Sequence, residues 1–467
     1  MRKTGKSLLK VIVFLSTQGL VASSIFLQPK NYNGSYIPSL PGGIALTSSS
    51  STLGEQLASS SGVGSWGINF TAGSAGIVRT SAGVAGARDS LAGSMVVESN
   101  GSFAIIGNAS TGFGATSQGF VIRFLANGTF DPTFNGTGSL LFNAPSDVGR
   151  TAVACIVSDG QGGYYVGGNI NSSSSGFITH ITNAGTIDVN FGSQGFSVPA
   201  GARSINGLGL QSNGTIVYVA ATAAGAGNGF SVGRLTAQGT TDTTFTIYAA
   251  GTLYPAGLAI DSQQRIIVTG TDNVTVTSFW TYRISANGGT LDPAFNNGAG
   301  YSWAGQASAL IILPDDSIIV VGRSGVIWGI FKFAVTGVPD PSFGSGTGTV
   351  AYRLVAVGSN LAIGVCQVPG GRLAVVGEAF DGVRNWYGTL LLNTDGSLNQ
   401  YFYIPGQVAF SGVGSAQVQI PTNTTSFAHC VGYQSLGALS GIVVAGYSST
   451  PNQPTGLIFY TSAGAPV

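Results

Sequence analysis

The stretch Val121–Gly138, VIRFLANGTFDPTFNGTG, decides the reading of this chain because the sequence keeps rewriting it. Gly-x-x-Asp-x-x-Phe stands at Gly128/Asp131/Phe134, Gly185/Asp188/Phe191, Gly239/Asp242/Phe245, Gly289/Asp292/Phe295 and Gly337/Asp340/Phe343, with a worn copy at Gly396/Asn399/Phe402. The steps between the Asp positions are 57, 54, 50 and 48 residues, then 59 to Asn399. A period of that length belongs to solenoids or propellers.

Upstream of each signature lie two short apolar runs joined by a polar turn, as in 94–107, 152–168, 205–220, 256–270, 309–322 and 361–377. The turns hold Asn100-Gly101, Asp159-Gly160, Asn213-Gly214, Asp315-Asp316 and Gly370-Gly371. Apolar runs flanking such dipeptides read as tight β-hairpins. A third run, such as Val121–Phe124, Phe230–Leu235 or Ile330–Ala334, leads into the signature, and a short fourth, such as Ser139–Phe142 or Thr349–Arg353, leaves it. Four short strands per period match one propeller blade. Within the signature, Gly supplies positive φ, the Asp side chain accepts turn N–H groups, and Phe reads as an anchor between neighbouring blades. One carboxylate per blade lacks the dense oxygen run of a calcium loop.

The N-terminus differs from the rest. Arg2, Lys3, Lys6 and Lys10 precede the apolar Val11–Ala22, which Ser16 to Gly19 interrupt, and Ser23-Ser24 come next. This reads as a signal peptide over 1–24 with cleavage after Ala22 or Ser24. The run is too short for a membrane span, which needs about 20 apolar residues. Removing those four basic residues leaves fourteen Lys plus Arg against seventeen Asp plus Glu, a net charge of −3. Residues 25–65 form a Gly/Ser/Thr-rich segment.

Residues 66–78, WGINFTAGSAGIV, resemble a signature tail without its head, while 442–446 and 457–460 supply second and third strands with no tail after them. The two fragments complete each other. Hairpin-ending positions at Gly107, Gly167, Ala220, Gly270, Gly322, Gly377 and Gly446 number seven. The expectation is therefore an all-β chain whose residues 66–467 form a seven-bladed β-propeller, with a strand near 66–80 closing the last blade. Blades six and seven are the least regular, and Gln417–Ile420 and Phe427–Val431 are read as an insertion or long first strand of blade seven.

Composition fits. The chain has 73 Gly, 43% apolar residues and only 7% charged residues among 467, against about 25% charged in ordinary domains. With no basic patch past residue 10, nucleic acid is not an expected partner. No cofactor or metal is expected. The histidines are His180 and His429. His180 shares a third-strand column with Arg123, Arg234, Arg283 and Lys332, which becomes Leu391 in the sixth copy; pairing with a turn carboxylate is its expected role. His429 adjoins Cys430, but neighbouring strand residues face opposite sides. Cys155 and Cys366 read as small buried residues at near-equivalent places in first strands, and no Cys/His cluster suggests zinc. Acceptors for N-glycosylation stand at Asn33, Asn69, Asn108, Asn127, Asn135, Asn171, Asn213, Asn273 and Asn423. Trp280, Trp328 and Trp386 open third strands in consecutive blades. They form either a stacking surface for sugars on one side of the ring or a packed inter-blade layer.

The whole unit resembles the delta-60 repeat, a β-propeller-like unit of long bacterial exported and surface proteins. Asp131, Asp188, Asp242, Asp292 and Asp340 fall on its Asp, and Phe134, Phe191, Phe245, Phe295 and Phe343 on its Phe. The likeness covers about 90–460 well and 66–80 in part, departs at Ala220, Leu391 and Asn399, and transfers no catalytic motif. Export together with a closed β scaffold that shows no evident chemistry gives the expectation of a secreted or surface-displayed module that binds a glycan or surface protein or assembles with itself. The alternative is a carbohydrate-active hydrolase or lyase with carboxylates such as Asp261, Glu378 or Asp381 in a central channel.

Overall fold

Apolar runs of seven to nine residues, punctuated by turns with positive φ at Gly101, Gly160, Gly214, Gln264, Asp316 and Gly370, give antiparallel meanders throughout. The computed structural model describes residues 15–16, 19–20 and 76–80, and 89–461 except 111–116, 146–149, 171–174, 225–226, 246–247, 251–252, 273–277, 355–359, 381, 384, 400–401, 403–414, 419–425, 436–439 and 449–454. The chain divides into two units, Met1–Thr52 and Leu53–Val467. In the first, the described residues are Leu15–Ser16 and Gly19–Leu20, paired antiparallel. The rest of the expected signal segment, all of 25–65 and the tail motif up to residue 75 lie outside the described residues.

The second unit is an all-β propeller arrangement. Six four-stranded sheets are each made of four consecutive strands. The first comprises Asp89–Val97, Phe103–Ser110, Ser117–Phe124 and Ser139–Phe142; the others span 151–197, 202–250, 253–304, 306–352 and 360–418. A seventh four-stranded sheet is composite: Ser426–Gln434, Gly441–Ser448 and Thr455–Thr461 are joined by Gly76–Thr80, which pairs with the last of them. Ser415–Val418 completes the sixth sheet and Ser426–Gln434 opens the seventh. Phe427–Val431 thus lies in the first strand of the seventh sheet, as expected, whereas Gln417 and Val418 are corrected to the sixth.

Second strands are apolar on both faces because each lies between two neighbouring sheets. Ile318, Ile319, Val320 and Val321 show the pattern, all at most 1% exposed. Seven buried clusters result, one between each consecutive pair of sheets. The last joins Cys430, Val443 and Ala445 of the seventh sheet to Phe103, Ile105, Phe120 and Phe124 of the first.

Each first strand slips register against its second strand at an equivalent place, Ala92/Ser94, Val153/Cys155, Ile205/Gly207, Pro255/Gly257, Ala307/Ala309, Ala362/Gly364 and Ala428/Cys430, and the third sheet slips once more at Ala202/Ser204. A β-bulge bends and twists a strand, so the repeated bulge curves every first strand alike. Nothing in the residue types announces it, since the extra residue ranges from Gly93 to Ile363 and His429.

One side chain shows that the seventh-to-first junction is built like an internal one. Gln211, last before the third hairpin turn, donates Nε2 to Gln264 O (2.9 Å) and Ala286 O (3.0 Å) of the fourth sheet's loops. Gln434 does the same from the seventh sheet, donating to Gly101 O (2.6 Å) and Ala126 O (2.5 Å) of the first. Replacing a buried donor that serves two carbonyls costs about 1–3 kcal/mol. Gln434→Leu should therefore lower the urea midpoint visibly. An unchanged midpoint would mean the junction is not formed in solution.

Candidate functional site

The signature builds one local structure six times. The Asp N–H donates back to the third strand: Asp131 to Arg123 O, Asp188 to His180 O, Asp242 to Arg234 O, Asp292 to Arg283 O and Asp340 to Lys332 O, at 2.8–3.0 Å. Asn399 keeps the bond, to Leu391 O at 2.8 Å. Glycine opens each turn at φ between 76° and 86°. In the fourth copy that opener is Gly288, whose N–H reaches Ser285 O as Gly128 N–H reaches Leu125 O; Gly289 is the extra residue.

The Phe of one copy lies on the opening Gly of the next. A Cβ on Gly185 would stand 2.8 Å from the Phe134 ring, and Gly239, Gly337 and Gly396 would meet Phe191, Phe295 and Phe343 as closely. The residue after Phe then donates to the next turn, as in Asn135 N–H to Ala184 O (2.8 Å) and Gly344 N–H to Asp395 O (2.9 Å). Phe is thus an anchor between sheets.

The two carboxylate oxygens divide the remaining work. Oδ1 accepts the N–H two residues on, from Thr133, Asn190, Thr244, Ala294 and Ser342 at 2.8–3.1 Å. Oδ2 faces the third-strand column: Arg123 at 2.7 Å, His180 at 3.0 Å, Arg234 and Arg283 at 2.8 Å, Lys332 at 2.8 Å. Each guanidinium also lies over its signature ring, 4.7 Å from Phe134 and 4.9 Å from Phe245 and Phe295, a cation–π geometry. It then crosses to the next sheet: Arg123 to Gly162 O and Asn183 Oδ1, Arg234 to Ala286 O, and Arg283 to Val335 O. His180 turns its other nitrogen to Asp159 (3.0 Å) and stacks on Tyr165 (4.7 Å).

These contacts fix the acidity of the column. Burial opposes ionisation of Asp131, but the Thr133 hydroxyl and N–H and the Arg123 charge outweigh it and hold the carboxyl below the usual range. The His180 hydrogen bond does this first for Asp188, and the Thr244 hydroxyl first for Asp242. Asp292 and Asp340 are lowered too, against burial, by the N–H of Ala294 with Arg283 and by Lys332 with Ser342. In the sixth copy both partners change together, to Leu391 and Asn399, and Asn399 donates to Asn393 Oδ1 (2.9 Å).

The tryptophans do not share a column. Trp280 pairs with Gly270, Trp328 with Arg323 beyond Gly322, and Trp386 with Ala379, two beyond Gly377. Trp328, fully buried, donates Nε1 to Glu378 O (2.9 Å). The single stacking surface is thereby corrected: spacings of 48 and 58 residues do not keep the strand register, and the three side chains alternate faces. Trp280 stacks on Tyr282 (5.8 Å), and Trp386 packs half-buried against the cluster between the fifth and sixth sheets.

Among the cysteines, Cys430 matches Cys155, both directly after the bulge, whereas Cys366 lies two residues further on. All three are free, with thiols pushed up to about 12 by burial. His429 is the bulged residue, pushed down to about 4 by burial, while the Cys430 thiol donates to Ala445 O (3.8 Å). Asp261 is buried against Arg265 (2.7 Å), which also meets Asp292 (3.2 Å). The Glu378 carboxyl is pushed up by burial. Asp381 lies outside the described residues.

A cavity of about 300 Å³ opens between the fifth and sixth sheets, lined by Lys332, Asp315, Phe343, Gln367, Gly371 and Thr394 among others. It occupies the junction where the third-strand cation is lysine rather than arginine. The polar residue before the hairpin turn, Asp159, Gln211 or Asp261 elsewhere, is Leu313 here: each donates its N–H four residues on, Leu313 to Ser317 O. The third-strand cation is shorter at this junction, and the pre-turn position lacks the amide with which Gln211 and Gln434 cross to the next sheet.

No protein-family model matches the chain, and no curated protein matches it in sequence. Among solved structures, Sqt1 from Chaetomium thermophilum is 13% identical at a TM-score of 0.42, covering 81% of this chain and 97% of its own. Puromycin hydrolase is 14% identical at 0.42, covering 79% of this chain and 60% of its own. Such values say nothing about what this chain binds or does.

Breaking one buried pair leaves an unpaired charge and costs about 3–5 kcal/mol. Arg234→Leu alone should lose that much, while Arg234→Leu with Asp242→Asn, copying the sixth repeat, should recover most of it in a double-mutant cycle. Additive losses would refute the coupling. Because the five Asp carboxyls are lowered in the folded state, their stabilisation is complete above their unfolded values and disappears as pH falls through the folded ones. The urea midpoint should hold from neutral pH down to about 5 and drop below about 4.

Proposed function

We propose that the chain is an exported seven-bladed β-propeller, sealed by Gly76–Thr80 in its last blade, that serves as a binding or structural module at a cell surface. The observation that carries this reading is the commitment of each signature carboxylate from both oxygens, one to its own turn and one to the cation beside it. The repeat's charge is directed inward, toward holding sheet to sheet, and the loops between strands are left as the variable surface. Support for seven blades comes from the seven inter-sheet clusters and from the shared bonding of Gln211 and Gln434. Support for export comes from the basic, then apolar N-terminus and from the likeness of the repeat to delta-60 units. No helix among the described residues is long and apolar enough to cross a membrane.

The partner is a glycan or a surface protein, or further copies of this chain. Expressed with its own N-terminus in a secreting host, the protein should appear outside the cell, cut after Ala22 or Ser24 by mass spectrometry. The product is then screened on a glycan array beside light scattering. Saturable, selective binding supports an adhesive role; ordered association without a ligand supports a building block. Retention of the intact chain inside the cell would count against export. Turnover of a bound glycan that Glu378→Gln abolishes would replace the module with an enzyme.

A further inference from the structure

We propose that the cavity between the fifth and sixth sheets is a binding site for a guanidinium group, the group that the other junctions supply from their own third strands. The protein provides its own comparison. At three junctions a guanidinium is bonded to the signature Asp through Nε, lies over the signature Phe, and donates through Nη1 to the residue two before the next opening Gly. That residue is Asn183, Ala286 or Val335. At the fifth junction Lys332 reaches Asp340 (2.8 Å). Among the described residues no side-chain hydrogen bond of Lys332 crosses to the sixth sheet.

What remains is a space with guanidinium-binding features in place. Phe343 lines it, the counterpart of the rings beneath the three guanidinium groups. Thr394, two before Gly396, holds the position of Asn183, Ala286 and Val335, and Gly371 that of Gly162. The Gln367 amide adds a further acceptor. Pro314, Asp315 and Thr394 are exposed, so the space opens to solvent between two loops. Asp315 and Lys332 line the space, and Asp340, which pairs with Lys332 at 2.8 Å, stands beside it, so two carboxylates accompany the single cation. A planar guanidinium suits a ring face with in-plane carbonyl acceptors better than an ammonium does. The cavity exceeds one guanidinium, with room for the methylenes of an arginine side chain.

This inference gives the binding reading a ligand chemistry, yet the pocket can be tested whatever the glycan screen returns. Methylguanidinium, arginine with both ends blocked, and lysine with both ends blocked are titrated into the full-length protein by calorimetry at fixed ionic strength. The guanidinium ligands should saturate one site, with blocked lysine about tenfold weaker. Tighter binding of blocked arginine than of methylguanidinium assigns the site to an arginine of a partner protein; equal binding assigns it to a small free guanidinium compound. Lys332→Arg should fill the cavity, abolish binding and raise the thermal midpoint. Asp315→Asn keeps the turn acceptor but removes the charge and should weaken binding about threefold; it carries the test if Lys332→Arg does not fold. Absence of binding to the unaltered protein, or full binding to Lys332→Arg, would overturn the proposal.

Discussion

The structure depends on a carboxylate that two demands share. An Asp in the signature turn must accept a backbone N–H to shape the turn, and it must not remain as a buried, unpaired charge. Its second oxygen therefore faces a cation on the preceding strand, and that cation, when it is arginine, spans the gap to the next sheet. A single residue thus links turn geometry to sheet-to-sheet packing. The linkage explains the sixth repeat, where Leu391 and Asn399 change as a pair and the backbone bond survives. Asn keeps the turn-forming amide without needing a counter-charge.

Closely packed sheets arise from the Phe and Gly of the same motif. A phenyl ring placed flat on the next repeat's glycine leaves no room for a Cβ, and the positive φ there excludes most other residues as well. Both demands fall on one position, so its glycine is fixed twice over. Sheets stacked in this way bury their second strands on both faces, which is why those strands read as continuous apolar runs. They also place few charges inward.

Where the repeat departs from its own rule, the departure has a physical consequence. Lysine at 332 satisfies the turn carboxylate as well as arginine does but ends sooner and lacks the planar fork. Leucine at 313 withdraws the amide with which Gln211 and Gln434 cross to the next sheet. Two changes at one junction leave an open cleft beside an aromatic ring.

The repeat, the hairpins, the turn role of Asp and the anchor role of Phe were legible in the residues, because each rests on a local requirement: positive φ, a side-chain acceptor, an apolar run of strand length. The basic column was legible too, since an eight-residue offset across a tight turn, nine in the fourth copy with its extra glycine, brings strand and turn face to face. What only the tertiary structure decided are properties of contact between repeats. The bulge in every first strand has no residue signature, since the extra residue differs from sheet to sheet. The tryptophans read as either one stacking surface or a packed inter-blade layer, and strand register, not sequence spacing, sets which face a side chain takes, with Trp328 buried. Gln211 and Gln434 carry no motif, being two amides among many until the next sheet's carbonyls stand opposite them. The cleft at Lys332 is visible only as the difference between one junction and the others, because a space between two sheets belongs to neither stretch of sequence.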